Sequence, residues 1–218
     1  MAVASGLALL TPAPATAAAH PPKPRRQVYA YITSLDGHVY VIDTRTNNVL
    51  GIATTTVGGG PEQVAVTPDG ASLYVTNAFK YVSVVNIAKR SVTNIPYDQT
   101  PLSPDILYGE AIAPDGKHAY VAVQNPFHGD KVSVINTTTG TVTKTIPIGD
   151  TPPTTGPGRY FLPAEVAVTP DGKSAYVVGS YGNGTPQGTV FAINTATEAV
   201  TPITVGAGDT MGVAIGRL

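Results

Sequence analysis

Two imidazoles and two carboxylates are the side chains of this chain best suited to chemistry. His38, His128, Glu110 and Glu165 supply the nitrogen and oxygen donors that hold a divalent cation. There is no cysteine among the 218 residues, so thiolate ligands, disulfides and cysteine nucleophiles are excluded. Of the four histidines, His20 lies in a proline-rich leader and His118 begins a strand beside a tight turn, which leaves His38 and His128 as candidate ligands. No His-Glu-x-x-His spacing and no Gly-x-Ser-x-Gly elbow occurs, and Gly58-Gly59-Gly60 runs into a strand pattern, not the helix a phosphate loop needs. Ligands so far apart in sequence can meet only where a fold brings them to one mouth, with Gln63 beside them. No cofactor is expected other than a divalent cation there.

A second chemistry is recognition. Three stretches interrupt an otherwise regular pattern: residues 97–108, residues 149–161, and the paired loops 124–130 and 180–187. They carry Tyr97, Asp98, Tyr108, Phe127, His128, Asp130, Arg159, Tyr160 and Tyr181, the rigid aromatics and polar groups of a binding surface. Long irregular connections between short strands need a reason, and binding is the usual one.

The elements that must position these residues repeat. Pro68-Asp69-Gly70 returns as Pro114-Asp115-Gly116 and Pro170-Asp171-Gly172, a turn in which proline presets φ, aspartate caps and glycine takes the left-handed position. Each turn follows a small apolar strand and leads into a strand centred on tyrosine. Tyr31, Tyr74, Tyr120 and Tyr176 share this position, spaced 43, 46 and 56 residues apart, and an aromatic at one register fills the space between neighbouring units. A third strand alternates with period two, as in Val132-Ser133-Val134-Ile135-Asn136, and ends on Asp43, Asn86, Asn136 or Asn194, which cap the next turn. A fourth strand follows, as at 141–146. Four strands per unit describe an all-β chain of β-propeller blades, four-stranded and antiparallel.

Tyr74-Val75-Thr76-Asn77, preceded by Val-Ala-Val-Thr-Pro-Asp-Gly, resembles the YVTN family of β-propeller repeat proteins over residues 27–218. The resemblance implies a secreted or surface protein, in a family that joins surface-layer proteins, binding proteins and a few lactonase-like or lyase-like relatives. It is specific for fold and not for function. The first unit lacks an inner strand, and Met211-Gly212-Val213-Ala214-Ile215-Gly216 aligns with Glu62-Gln63-Val64-Ala65-Val66-Thr67. The expectation is four blades, closed by the C-terminal strand pairing into blade one, which would leave no open sheet edge. An eight-bladed ring of two chains is the alternative.

Thirteen basic and 14 acidic residues give a net charge of −1, which offers no electrostatic footprint for nucleic acid. An alanine-rich apolar start reads as a signal peptide over residues 1–19, atypical because no basic residue precedes it, followed by a leader over 20–26 and the propeller over 27–218. No other stretch has the length of a membrane span. The reading is a secreted or cell-surface binding module, monomeric or homodimeric, that takes a protein or glycan partner through its loop-elaborated face. Its candidate contacts are Tyr97, Tyr108, Phe127, His128, Asp130, Arg159, Tyr160 and Tyr181. A metal-assisted lyase or lactonase at the channel mouth is the enzymatic alternative, and a tile of a surface array the structural one.

Overall fold

The structure is a computed structural model that describes residues 27–54, 57, 60–78, 81–97, 105–125, 127–149, 161–181 and 187–216. The expected signal peptide and leader, together with Asp98, Arg159 and Tyr160, lie outside the described residues. Within them the chain is all-β, with no helix.

Blade one holds β1 (Tyr29–Thr33), β2 (Val39–Asp43) and β3 (Asn48–Thr54). Blade two holds β4 (Pro61–Val66), β5 (Ser72–Asn77), β6 (Tyr81–Asn86) and β7 (Ser91–Pro96). Blade three holds β8 (Ile106–Ile112), β9 (His118–Gln124), β10 (Lys131–Asn136) and β11 (Thr141–Pro147). Blade four holds β12 (Phe161–Val168), β13 (Ser174–Tyr181), β14 (Gln187–Asn194) and β15 (Val200–Ala207). Each blade is an antiparallel meander in chain order. The inner strands β4, β8 and β12 lie side by side, and β1 lies against β4.

The turns form as their residue types require. Asp69, Asp115 and Asp171 each accept the N–H two residues on, at 3.0, 2.8 and 3.0 Å, and the glycines that follow hold φ near +70°. Asp43, Asn86, Asn136 and Asn194 cap the next turn in every blade. The repeated aspartates are therefore occupied by their own backbone.

Three apolar cores separate successive blades. Leu73, Val75 and Val39 pack between blades one and two, with Tyr31 against them; Tyr74, Val121 and Ile135 pack between two and three; Tyr120, Val177 and Phe161 pack between three and four. The tyrosine register thus does as expected at Tyr74 and Tyr120, which are buried, whereas Tyr176 is only partly buried and belongs to none of these cores.

Blade one has three strands, and residues 209–216 form no strand ladder with it. The expected fourth strand is not made. That segment is held by blade four instead: the N–H of Thr210 donates to Ser180 Oγ at 2.9 Å, its hydroxyl donates to the Gly179 carbonyl, and the N–H of Val213 donates to Glu165 Oε2 at 2.9 Å. Among the described residues no sheet closes on itself.

Candidate functional site

Loops and turns segregate to two faces. The N–H of Val57 reaches the Gly37 carbonyl and that of Ile148 the Asp130 carbonyl, which puts interblade connections beside the loops between second and third strands. On the other face, Ile87, Thr137 and Thr195 donate to the carbonyls of Ala71, Lys117 and Lys173, which ties the third-to-fourth-strand turns to the Pro-Asp-Gly turns.

On the axis, counting back from the prolines of the three turns places Gln63, Gly109 and Glu165 at one register. Gln63 Nε2 donates to Glu165 Oε1 at 3.1 Å, and Gln63 Oε1 accepts the N–H of Glu110 at 2.7 Å. Glu165 Oε2 accepts the N–H of Val213, the residue after Gly212. A Cβ on Gly109 would lie 2.4 Å from Glu165 Cα and 2.6 Å from the Ala164 carbonyl oxygen, and one on Gly212 would lie 3.1 Å from Glu165 Oε2. Large polar side chains and glycines thus alternate, and the long side chains fill the axis through the gaps the glycines leave. Above this plug is a cavity of about 250 Å³ lined by Glu62, Tyr108 and Met211.

Glu110 stands one residue further along than Gln63 and Glu165, in the register of Val64 and Val166, so the strand's alternation turns it away from the axis. It is buried, and neither carboxylate oxygen has a hydrogen-bond partner. Burial pushes its carboxyl well above the ordinary range, against a smaller opposing effect of the Thr76 and Ala65 N–H groups. His38 sits in the β1–β2 loop with Nδ1 3.2 Å from Asp36 Oδ1, and Glu165 is engaged by Gln63 and Val213. The four expected metal ligands are not brought together: among the described residues no group of three or more His, Asp or Glu side chains is placed to hold a metal.

The β9–β10 loop is the best-organised part of the elaborated face. Asn125 Oδ1 accepts the N–H groups of Phe127 and His128 at 3.1 and 2.8 Å, and Asn125 Nδ2 donates to Asp105 Oδ1 at 2.9 Å. Asp130 Oδ1 accepts the Asn125 N–H at 3.0 Å, and Lys131 Nζ meets Asp105 at 2.9 Å. Asn125, Asp105 and Asp130 are all buried. Burial raises the Asp130 carboxyl to about 7, against the opposing hydrogen bonds from the Asn125 and Phe161 N–H groups. Above this base Phe127 stands 62% exposed, and His128 is exposed beside it. Tyr108, half-buried, donates to Gln124 Oε1 at 3.3 Å.

Two expected surface aromatics turn inward. Tyr181 is buried edge-on to Phe161, with ring centroids 5.5 Å apart. Tyr97 packs against the core between blades two and three with its hydroxyl buried near Ser133. Both begin or end a connection, where the strand's alternation still dictates direction. On the opposite face, a cavity of about 440 Å³ between blades three and four takes in His118. The sequence signal for it is the departure of His118 from Ser72 and Ser174, which stand at the same place in the neighbouring blades.

Successive four-stranded meanders, stacked through interblade cores with their inner strands around an axis, define a β-propeller fold. Among solved structures, a chain of Kuenenia stuttgartiensis hydrazine synthase is similar at 31% identity and a TM-score of 0.66, over 82% of this chain and 46% of that one. This chain therefore spans about half the length of that relative. No protein-family model and no curated protein matches the sequence.

Proposed function

We propose that this protein is a secreted or cell-surface propeller that binds a protein partner through its loop-elaborated face. The observation that carries this is Phe127, an apolar ring 62% exposed on a loop whose buried base is hydrogen-bonded through Asn125, Asp105 and Asp130. A ring presented on a fixed backbone loses little conformational entropy on binding, which is what makes an aromatic anchor effective. Tyr108 and the acidic Glu62 border the axial cavity on the same face. The apolar, alanine-rich first 19 residues support export. The enzymatic reading draws no support from the scattered positions of His38, His128, Glu110 and Glu165.

Four blades in one ring is the architecture we assign to this module. What supports it is the axis: Gly212, in the residues that follow blade four, takes the place opposite Gly109, and Glu165 grips Val213 as Gln63 grips Glu110. A native mass spectrum tests this part, since a monomer is expected and a stable dimer would favour the eight-bladed ring.

For binding, the test is crosslinking and affinity capture from the producing cells with the protein as bait, repeated with the double variant Phe127→Ala/Tyr108→Ala. A specific protein recovered by the wild type should fall at least tenfold with the variant, while its melting temperature stays unchanged. Equal recovery by both would remove the assignment.

A further inference from the structure

On the turn face, far in the fold from the loop of Phe127, each interblade groove is built by the same backbone yet lined differently. Between blades two and three the cavity is about 370 Å³ and presents Asp69, Asp115, Ser72, Thr137 and Thr138 over Tyr74. Between blades one and two it is about 330 Å³, lined by Tyr29, Val41, Leu50, Ile52 and Arg90. Between blades three and four it is about 440 Å³, the size of a small-ligand pocket.

That third groove differs from the groove between blades two and three at two positions. His118 stands where blades two and four have Ser72 and Ser174, and its Nδ1 lies 2.9 Å from Asp115 Oδ2. Glu198 stands where blade three has Gly140: both close the same third-to-fourth-strand turn, at φ +63° and +65°. Asn47 and Arg90 hold the same left-handed conformation at this turn in blades one and two, so the conformation belongs to the repeat and only the carboxylate is particular to this groove. The Glu198 carboxylate meets Lys144 of blade three across the groove, and the walls are completed by Asp171 and a floor of Ala113, Val134, Ile146 and the Tyr120 ring.

Each carboxylate of this groove already has a partner. Asp115 is paired with His118, Glu198 with Lys144, and Asp171 accepts from Thr169 Oγ1 at 2.6 Å and the Lys173 N–H at 3.0 Å. An anionic ligand would meet three carboxylates against one ammonium, and a cationic one would have to compete with Lys144 for Glu198. A neutral ligand rich in hydroxyls would do neither: its hydroxyls donate to the carboxylates' remaining lone pairs and accept from ammonium and imidazole, while its C–H face lies on the apolar floor.

We propose that the groove between blades three and four is a binding site for a neutral saccharide, of one or two sugar units by its volume. The site is separate from the face that carries Phe127 and does not depend on it.

The probes are glucose, galactose, mannose, N-acetylglucosamine, cellobiose and maltose, followed by saturation-transfer NMR and titration calorimetry on the full chain. At least one should bind saturably in the millimolar range or tighter. The double variant His118→Ser/Glu198→Gly gives both positions the residues of the groove between blades two and three, Ser72 and Gly140, so the fold is kept; a thermal melt checks this, and binding should fall at least tenfold. Phe127→Ala should bind the sugar as the wild type does. The proposal is overturned if none of the six binds saturably, if the double variant binds equally well, or if Phe127→Ala abolishes binding.

Discussion

Glu110 stands in the register where blades two and four place valine, and its buried carboxylate has no hydrogen-bond partner. Such a group lowers stability unless something uses it. Glu110→Val should therefore raise stability by about 1–3 kcal/mol, read as an upward shift of the urea midpoint; a loss would mean that the carboxyl has a partner essential to the fold. Asp130 makes a pH prediction of known sign. Its carboxyl ordinarily titrates at 3.8 and in the fold at about 7, so the folded chain keeps a proton that the unfolded chain releases. That contribution is complete below about pH 4 and is lost as pH rises through 7. Glu110, also raised by burial, acts in the same direction. Urea midpoints should be lower at pH 8 than at pH 5, and Asp130→Asn, which keeps an acceptor for the Asn125 N–H, should narrow that difference.

At the scale of the element, the inner strands show what a sequence displays and what it conceals. The Pro-Asp-Gly turns, the Asn caps and the order of strands within each blade are legible because each is fixed by residues within a few positions of one another. The place of Glu110 is less so: it is one residue out of register with Gln63 and Glu165, and with a side-chain period of two, one residue decides between axis and interblade core. Tyr97 and Tyr181 mislead for a related reason, since they sit where strand gives way to connection and composition alone reads as surface. The axial glycines are legible only afterwards, because the atoms that fill their space come from other blades. Gly109→Ala places a Cβ 2.4 Å from Glu165 Cα, a backbone clash that no rotamer relieves. It should cost on the order of 2–4 kcal/mol, measured by chemical denaturation, whereas Gly70→Ala, with open space around its Cβ, pays only the left-handed backbone penalty of about 1–2 kcal/mol.

For the whole molecule, the last residues are joined to the rest by few bonds, and Glu165 makes a central one. Glu165→Ala removes the acceptor for the Val213 N–H and the partner of Gln63. Amide exchange over residues 209–216 should then accelerate while the strands of blades two and three keep their protection; unchanged exchange would show that Thr210 alone secures the segment. The axial alternation has a further meaning. Glutamine, glycine, glutamate, glycine repeats every two blades, so the interlock has a pseudo-dyad, and the grip of Gln63 on the residue after Gly109 is the grip of Glu165 on the residue after Gly212. A tail donated by a second molecule would meet the same carboxylate and the same gap as the chain's own. If the ring closes as proposed, closure within one chain and domain swapping between two would draw on one set of contacts, and protein concentration, more than any bond peculiar to either form, would set the balance between them.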